Sequence, residues 1–266
     1  MADPAAPAAA QLALRVSVDG PVATLTMNRP RQRNALSTEL MQEILATLHD
    51  LRSRPDVHAV ILAGEGPAFC AGHDLAELRG LDEAGYRAVF QLCSDLMMAL
   101  HEQPQPVIAR VHGIATAAGC QLVASCDLAV AGGSARFCTP GVHIGLFCST
   151  PMVALSRNLS RKHAMEMLLL GDMIDAGDAF RFGLVNRVVE AGGAEAEAGR
   201  MARVIASKSP LTLKIGKQAF YEQAEMPLGA AYDHATRIMV ENMLARDAEE
   251  GIGAFMGKRD PVWEGR

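Results

Sequence analysis

No apolar run in this sequence approaches the roughly 20 residues that a membrane-spanning helix requires, and no basic stretch precedes an apolar one at the N-terminus as in a secretory leader. Neither a membrane span nor secretion is expected. A basic excess is missing too. The 266 residues carry 25 Lys and Arg against 30 Asp and Glu, a net charge of −5, which argues against general nucleic-acid binding while leaving a small anionic ligand open. There is no Cys-x-x-Cys pair and no cluster of histidines at metal-ligand spacing, so no metal is expected. The six cysteines (Cys70, Cys93, Cys120, Cys126, Cys138, Cys148) are scattered through apolar or small-residue segments, and read as reduced, mostly buried thiols of a cytoplasmic protein. Met1 to Ala10 lacks Arg and carries Asp3, so residues 1–11 read as a disordered Ala/Pro-rich tail rather than a mitochondrial presequence.

What is present is ample core material, with 50% hydrophobic and 21% charged residues, enough for one domain or two. Leu14 to Val18 and Val22 to Met27 alternate around Asp19-Gly20, which predicts an antiparallel hairpin. A loop from Asn28 to Leu36 follows. Its three arginines, Arg29, Arg31 and Arg33, read equally as a solvated loop or as a phosphate clamp. Ser37 is a good N-cap before the helical stripe Leu40, Ile44, Leu48, Leu51. Buried strands are expected over Val57 to Ala63, Val107 to Val111 and Leu128 to Ala131, with a helix from about Glu83 to His101. That rhythm implies right-handed crossovers in a mostly parallel sheet. From Pro151 onward helices dominate, with one further strand signal at Leu184 to Val189.

Two small-residue turns stand out. Val111 to Leu122 runs from a buried strand through Gly113-Ile114-Ala115-Thr116-Ala117-Ala118-Gly119 into a helix, and Gly64 to Leu75 follows another buried strand with Ala71-Gly72-His73. Turns of Ala and Gly let a ligand approach the backbone, and a helix start offers free N–H groups and a positive dipole end. Two such turns aiming two N–H groups at one carbonyl oxygen would stabilise charge developing on a thioester or ester.

In the order and spacing of these motifs the sequence resembles the crotonase (enoyl-CoA hydratase/isomerase) superfamily. The matching residues are Met27-Asn28-Arg29-Pro30 with Asn34-Ala35-Leu36, Ala68 to Leu75, Gly113 to Leu122, Cys126-Asp127-Leu128-Ala129, Phe137, Pro140 and Gly183-Leu184-Val185. Together they span about residues 12 to 262. Gly145 to Pro151 and the ending Lys258 to Trp263 further resemble the branch of enoyl-CoA hydratase domain-containing proteins. The resemblance implies an α/β fold, a spiral of ββα turns over residues 12–195, closed by a helical trimerisation region over 196–266, in a homotrimer or a dimer of trimers. It implies an acyl-CoA or enoyl-CoA thioester as ligand, with coenzyme A entering as part of the substrate and no permanently bound cofactor. The thioester oxygen would lie between the N–H groups of His73 and Ala118. Arg31 and Arg33, in the loop that also holds Ala35, would lie near the CoA phosphates. Ala71, Asp74 and Leu75 would lie near the adenine and pantetheine, and Phe255 and Lys258 would approach the nucleotide end from a neighbouring subunit.

At two positions the pattern breaks. Hydratases of the family carry two glutamates, because water is a poor nucleophile and needs a general base while the α-carbon needs a proton donor. Here those positions are Gln121 and Gly141. Gln121 can donate and accept hydrogen bonds, whereas Gly141 offers only backbone and space. His143 is the nearest titratable substitute, against a packing or surface role. His73 is explained by its backbone alone, so its side chain is a separate question, and Asp74 reads as a loop-fixing residue before it reads as a base. Cys148 as a nucleophile has no evident base beside it. Three readings follow: a thioester-polarising member of the group with impaired hydration, a non-catalytic acyl-CoA sensor or oligomeric partner, or a different enolate-stabilising enzyme such as a decarboxylase or thioester hydrolase.

Overall fold

The computed structural model describes residues 12–266, so the tail expected over 1–11 and the reading of its leader character lie outside the described residues. Strands β1 (Leu14–Asp19) and β2 (Val22–Met27) pair antiparallel, and Gly20 at the corner takes φ +54°, a left-handed conformation that costs glycine little. Helix α1 (Thr38–Arg52) begins where Ser37 accepts a hydrogen bond from the Leu40 amide, and its Leu40, Ile44, Leu48 and Leu51 are all buried. The order continues with β3 (Ala59–Gly64), β4 (Ala68–Cys70), α2 (Leu75–Leu78), α3 (Glu83–Glu102), β5 (Val107–Val111), β6 (Ile114–Thr116), α4 (Ala118–Ser125), β7 (Leu128–Gly132) and β8 (Arg136–Cys138). After a 3₁₀ turn at Pro140–Ile144 come α5 (Pro151–Asn158), α6 (Arg161–Leu170), β9 (Ile174–Asp175), α7 (Ala176–Phe182) and β10 (Arg187–Val189). Four helices end the chain: α8 (Ala194–Ala206), α9 (Pro210–Ala224), α10 (Leu228–Met243) and α11 (Arg246–Met256).

These strands form two sheets rather than the single sheet that the alternation suggested. The larger has the order β1-β2-β3-β5-β7-β10 and is parallel apart from β1; the smaller has the order β4-β6-β8-β9. Each of β3, β5 and β7 is thus followed by a three-residue strand of the second sheet, and β3–β4 and β5–β6 then lead into helices, which is the ββα rhythm implied by the resemblance. Strands β4 and β6 fell inside the stretches read as turns, because three residues carry no usable period.

Burial explains the layers. One face of the main sheet meets α1, α3 and α4 through the principal core. On the other face, Ala194, Ala198, Ala202 and Ala206 of α8 recur every fourth residue and lie buried with Ala59, Ile61, Ile108 and Val130. A stripe of methyl groups lets the helix axis settle close to the strands. Helix α9 is tied in by charge instead. The Lys217 ammonium lies 2.7 Å from Asp127 Oδ2, the Tyr221 hydroxyl donates to Asp127 Oδ1 at 2.8 Å, and the Val107 amide donates to the same carboxylate. Burial pulls the Lys217 pKa below its ordinary value while Asp127 supports the charged form, and removing one partner of such a pair costs about 3–5 kcal/mol.

Two contacts set how closely α4 and the β5–β6 link approach the β4 segment. A Cβ on Gly119 would lie 2.2 Å from the Cys70 carbonyl oxygen, and one on Gly113 would lie 2.5 Å from the Pro67 carbonyl oxygen. Backbone touches backbone at both places. Gly119→Ala is therefore expected to lower the thermal midpoint by several degrees or prevent folding, since overpacking against fixed atoms costs about 1–3 kcal/mol or more. Gly216→Ala, within α9 and with no atom within 4 Å of the added methyl, should raise the midpoint slightly through helix propensity. Thermal unfolding of the two variants beside the parent protein checks both signs.

Candidate active site

The loop before α1 and the loop after β3 are laced together by hydrogen bonds. Asn34, buried and left-handed at φ +55°, donates through Nδ2 to the carbonyls of Glu65 and Ala68 and accepts the Arg29 amide. Ala71 donates its N–H to the Arg33 carbonyl. Arg29 donates to the Ala35 carbonyl at 2.6 Å and pairs with Asp74 at 2.9 Å, both side chains being less than one-fifth exposed. Asp74 also caps α2 by accepting the Ala76 amide. So Asp74 has a loop-fixing place, and Arg29 is committed to it rather than free to meet a phosphate.

This lacing orients the backbone at His73. The isolated bridge between Leu36 and His73 runs through the Leu36 amide to the Gly72 carbonyl and the Asp74 amide to the Leu36 carbonyl. His73's own amide takes no part in it. Across from it, the Ala117 amide donates to the Cys138 carbonyl at 2.9 Å, and Ala117 then turns the chain into α4 with φ +49° and ψ −117°. That conformation favours glycine, and an alanine holding it stores on the order of 1–3 kcal/mol. Ala118 follows as the first residue of α4, whose N-terminus has no side-chain cap. Its amide is one of the donors that a helix start leaves without an internal acceptor. The two turns touch: a Cβ on Gly72, at φ +89°, would lie 3.0 Å from the Ala117 Cβ and 3.5 Å from the Ala118 nitrogen.

A cavity of about 510 Å³ opens where the turns meet. Among the expected site residues it gathers Ala71, His73, Leu75, Ala118, Gly141 and His143. Its wall also includes Leu78 and Phe90, which close the side towards α2 and α3, and Ile144, Leu146 and Phe147, which close the opposite side. Phe90 and the Leu146-Phe147 pair were not anticipated as lining residues. Only the neighbouring turn shows that this part of α3 faces a hollow. Among the described residues no Lys or Arg lines the cavity, and no group of three or more His, Cys, Asp or Glu side chains is placed to hold a metal ion.

His73 stacks edge-on against Phe90, with ring centroids 5.3 Å apart and planes at 86°. Both of its ring nitrogens are buried without a hydrogen-bond partner, and burial pulls its pKa below the ordinary value, so the ring is neutral at neutral pH. Gln121, three residues along α4 from Ala118 and so on the same helix face, is 4% exposed, and its Oε1 is buried without a partner. It does not line the cavity. Gly141 corrects an expectation. Far from offering space, its Cβ direction points at the Leu146 carbonyl oxygen, 2.7 Å away, and at Cys148 Sγ, 2.9 Å away. The loop from Gly145 to Cys148 occupies the room that a second glutamate would need. His143 is exposed, with Nε2 lying 2.8 Å from where a Gly171 Cβ would sit. Cys148 is buried, which pushes its thiol pKa up and away from nucleophile chemistry.

The remaining candidates lie apart from the cavity. Ala35 is buried beneath the loop, whereas Arg31 and Arg33 are exposed and make no ion pair among the described residues. Phe255 is 85% exposed at the end of α11, and Lys258 follows it in a left-handed conformation at φ +51°. Neither lines the cavity within its own chain. All six cysteines are free thiols and buried, as their sequence neighbourhoods suggested.

The fold and this site have counterparts. The family model for enoyl-CoA hydratase/isomerase matches residues 18–266. The rat protein named "Enoyl-CoA hydratase domain-containing protein 3, mitochondrial" is 47% identical over 244 residues, covering 91% of this chain and 81% of the relative. A putative enoyl-CoA hydratase of Thermus thermophilus is 36% identical over 91% of this chain and 97% of its own length. Among solved structures, an enoyl-CoA hydratase from Mycobacterium smegmatis superposes with a TM-score of 0.93 at 47% identity, covering 95% of this chain and 99% of that one. Human enoyl-CoA hydratase domain-containing protein 3 superposes with a TM-score of 0.91 at 44% identity, over 94% of this chain and all of that one. The mitochondrial names of the rat, mouse and human relatives overturn the cytoplasmic expectation. Reduced, buried thiols report a reducing compartment without distinguishing one such compartment from another. Residue pattern, two-sheet fold and close relatives agree, and the chain belongs to the enoyl-CoA hydratase/isomerase family, within its branch of enoyl-CoA hydratase domain-containing proteins.

Proposed function

We propose that this protein binds an acyl-CoA thioester and polarises its carbonyl between the backbone N–H groups of His73 and Ala118, with little capacity to add water. The observation that carries the reading is the contact of the two turns, which brings Gly72 against Ala117 and Ala118 while neither candidate amide is used in the hydrogen bonds that hold the loops together. Two donors fixed in advance at the edge of an apolar cavity cost no reorganisation when charge develops, and each is worth about 10²- to 10³-fold in rate. The α4 dipole adds to them.

Proton transfer is where the site is poor. General acid–base help contributes roughly 10²- to 10⁴-fold per group. Gln121 cannot titrate, and the place of the second carboxylate is filled by the Leu146 carbonyl and the Cys148 thiol. That occupied space also supports a second reading, a non-catalytic acyl-CoA sensor or oligomeric partner. A malonyl-type decarboxylase loses support, because a second carboxylate would meet no cation in the cavity lining. A thioester hydrolase through Cys148 loses support because burial holds the thiol protonated.

Arg31 and Arg33, exposed and uncommitted, suit the CoA phosphates. Large apolar side chains exposed on the last helices, Leu228, Tyr232, Leu244, Phe255 and Met256 among them, suit a homotrimeric or paired-trimeric assembly, since monomers rarely leave extended apolar patches in water.

Bound to the protein, crotonyl-CoA is expected to show its thioester carbonyl stretch shifted to lower wavenumber in Raman difference spectra, while loss of its conjugated absorbance stays slow. An unshifted stretch at saturation would count against the polarising site. Gln121→Glu should leave hydration slow, because position 121 does not line the cavity, and Gly141→Glu should lower the thermal midpoint without a gain, because its Cβ meets backbone. Arg31→Ala and Arg33→Ala should each weaken CoA binding by about twofold to fivefold and flatten its salt dependence, as exposed ion pairs are worth about 0.2–1 kcal/mol. Calorimetry at two ionic strengths measures it.

A further inference from the structure

We infer that a second cavity, at the opposite end of the main sheet from the one described above, binds the phosphate group of a small ester whose organic body is flat and apolar.

This cavity has a volume of about 390 Å³, within the range of about 300–1,000 Å³ that small-molecule sites occupy. Val57 and His58, which lead into β3, and Pro106, which leads into β5, line it. Those two strands run parallel, and the turns of the first cavity leave their other ends, so the two hollows share no residue. One wall is the indole of Trp263, half-buried and held by a hydrogen bond from Nε1 to the Ser207 carbonyl at 2.8 Å. The two residues after it are pinned by Asp247, 1% exposed, which accepts from the Glu264 and Gly265 amides and from the Ser209 hydroxyl at the cap of α9. Trp263 and the rings of Pro104, Pro106 and Pro210 thus form a fixed apolar surround.

The charged groups facing that surround differ in what they already bind. Arg54 is spent on Asp56, with Nε and Nη2 at 2.7 and 2.6 Å from the two carboxylate oxygens. His58 is spent on the backbone, its ring nitrogens 3.1 and 3.2 Å from the Ala206 and Pro55 carbonyls. Glu264, the one acid in the lining among the described residues, is answered by Arg246 and Arg266. Lys214 is exposed and has neither an ion pair nor a side-chain hydrogen bond among the described residues, and Arg52 has only a 3.4 Å contact with Glu102. Lys214 stands one turn along α9 from Leu211, which also lines the cavity. At that helix start Pro210 brings no N–H and Ser209 caps Thr212, so the Leu211 amide is the donor left without an acceptor. One guanidinium fork from α1, one ammonium from α9 and one amide at the start of α9 are therefore uncommitted. A carboxylate brings two oxygens and a single charge, whereas a phosphate monoester brings three oxygens and a charge of about −1.5 to −2, which suits three donors, two of them cationic. The body of the ester then lies against Trp263 and the prolines.

Trp263 is the single tryptophan of the chain, so the indole fluorescence of the full protein reports on this cavity. Titration with phenyl phosphate is expected to give a saturable change, with a Kd about fivefold below those of inorganic phosphate, which lacks the ring, and benzoate, which lacks the second charge. Lys214→Ala and Arg52→Ala should each raise the Kd about twofold to fivefold, and the double variant about tenfold. Arg87→Ala, which removes the same charge from the surface of α3, should leave it unchanged. Both Lys214 and Arg52 are exposed, so the variants are expected to fold, as thermal unfolding beside the parent protein checks. The inference is overturned by the absence of a saturable change, by equal affinity for phenyl phosphate and either of the other two probes, or by a Kd that the double variant does not alter.

Discussion

Helix α4 starts in contact with the Cys70 carbonyl, an approach that only a residue without a side chain at position 119 permits. Much of the site depends on that proximity. It holds the start of α4 against the loop that leaves β4, so that Gly72 lies against Ala117, and His73 and Ala118 line one hollow. The strained Ala117 conformation is a consequence of the same geometry: the chain must leave β6, still bonded to the Cys138 carbonyl, and enter a helix within one residue. A backbone packed this tightly cannot relax towards a ligand, and that rigidity is what a pre-aimed donor pair needs.

Charge secures the loops and the C-terminal helices where glycine contacts do not reach. Arg29 and Asp74, mostly shielded from water, tie the segment before α1 to the cap of α2. Lys217 and Asp127, more deeply buried, tie α9 to the strand ends of the main sheet. Such pairs contribute less to net stability than their distances suggest, because burying them removes hydration. Their effect is to fix which segment meets which. Arg31 and Arg33, two and four residues from Arg29, stay in solvent, so one short loop divides its arginines between architecture and a surface available to an anion.

The cavity combines strong electrostatics with weak proton chemistry. Its apolar walls lower the local dielectric response, which strengthens a hydrogen bond to a developing oxyanion. The same walls keep His73 neutral and the Cys148 thiol protonated. Gln121 lies outside the cavity lining and cannot titrate, and the Gly145 to Cys148 loop closes on Gly141 so that no longer side chain fits there. Under the proposed reading, a thioester is held and polarised in a place where proton carriers are few.

Local features of the sequence determined the elements that local physics governs. Asp19-Gly20 set the hairpin, Ser37 and the leucine stripe set α1, and the Ala/Gly turns with their order along the chain marked both the family and the candidate donor residues, because each signal lies within a few consecutive residues. Only the tertiary structure decided the rest. The second sheet is built from strands too short to show a period, and it pairs residues more than 40 positions apart, such as Ala68 with Ile114. Whether Asp74 serves a ligand or a loop depended on Arg29 lying 2.9 Å away. Whether Gly141 leaves room depended on a carbonyl five residues later folding back onto it. The unpartnered ring of His73 and the Phe90 wall beside it arise where α3 meets a distant turn. A sequence records which groups are available; which of them remain unpaired is settled by what the folded chain places against them.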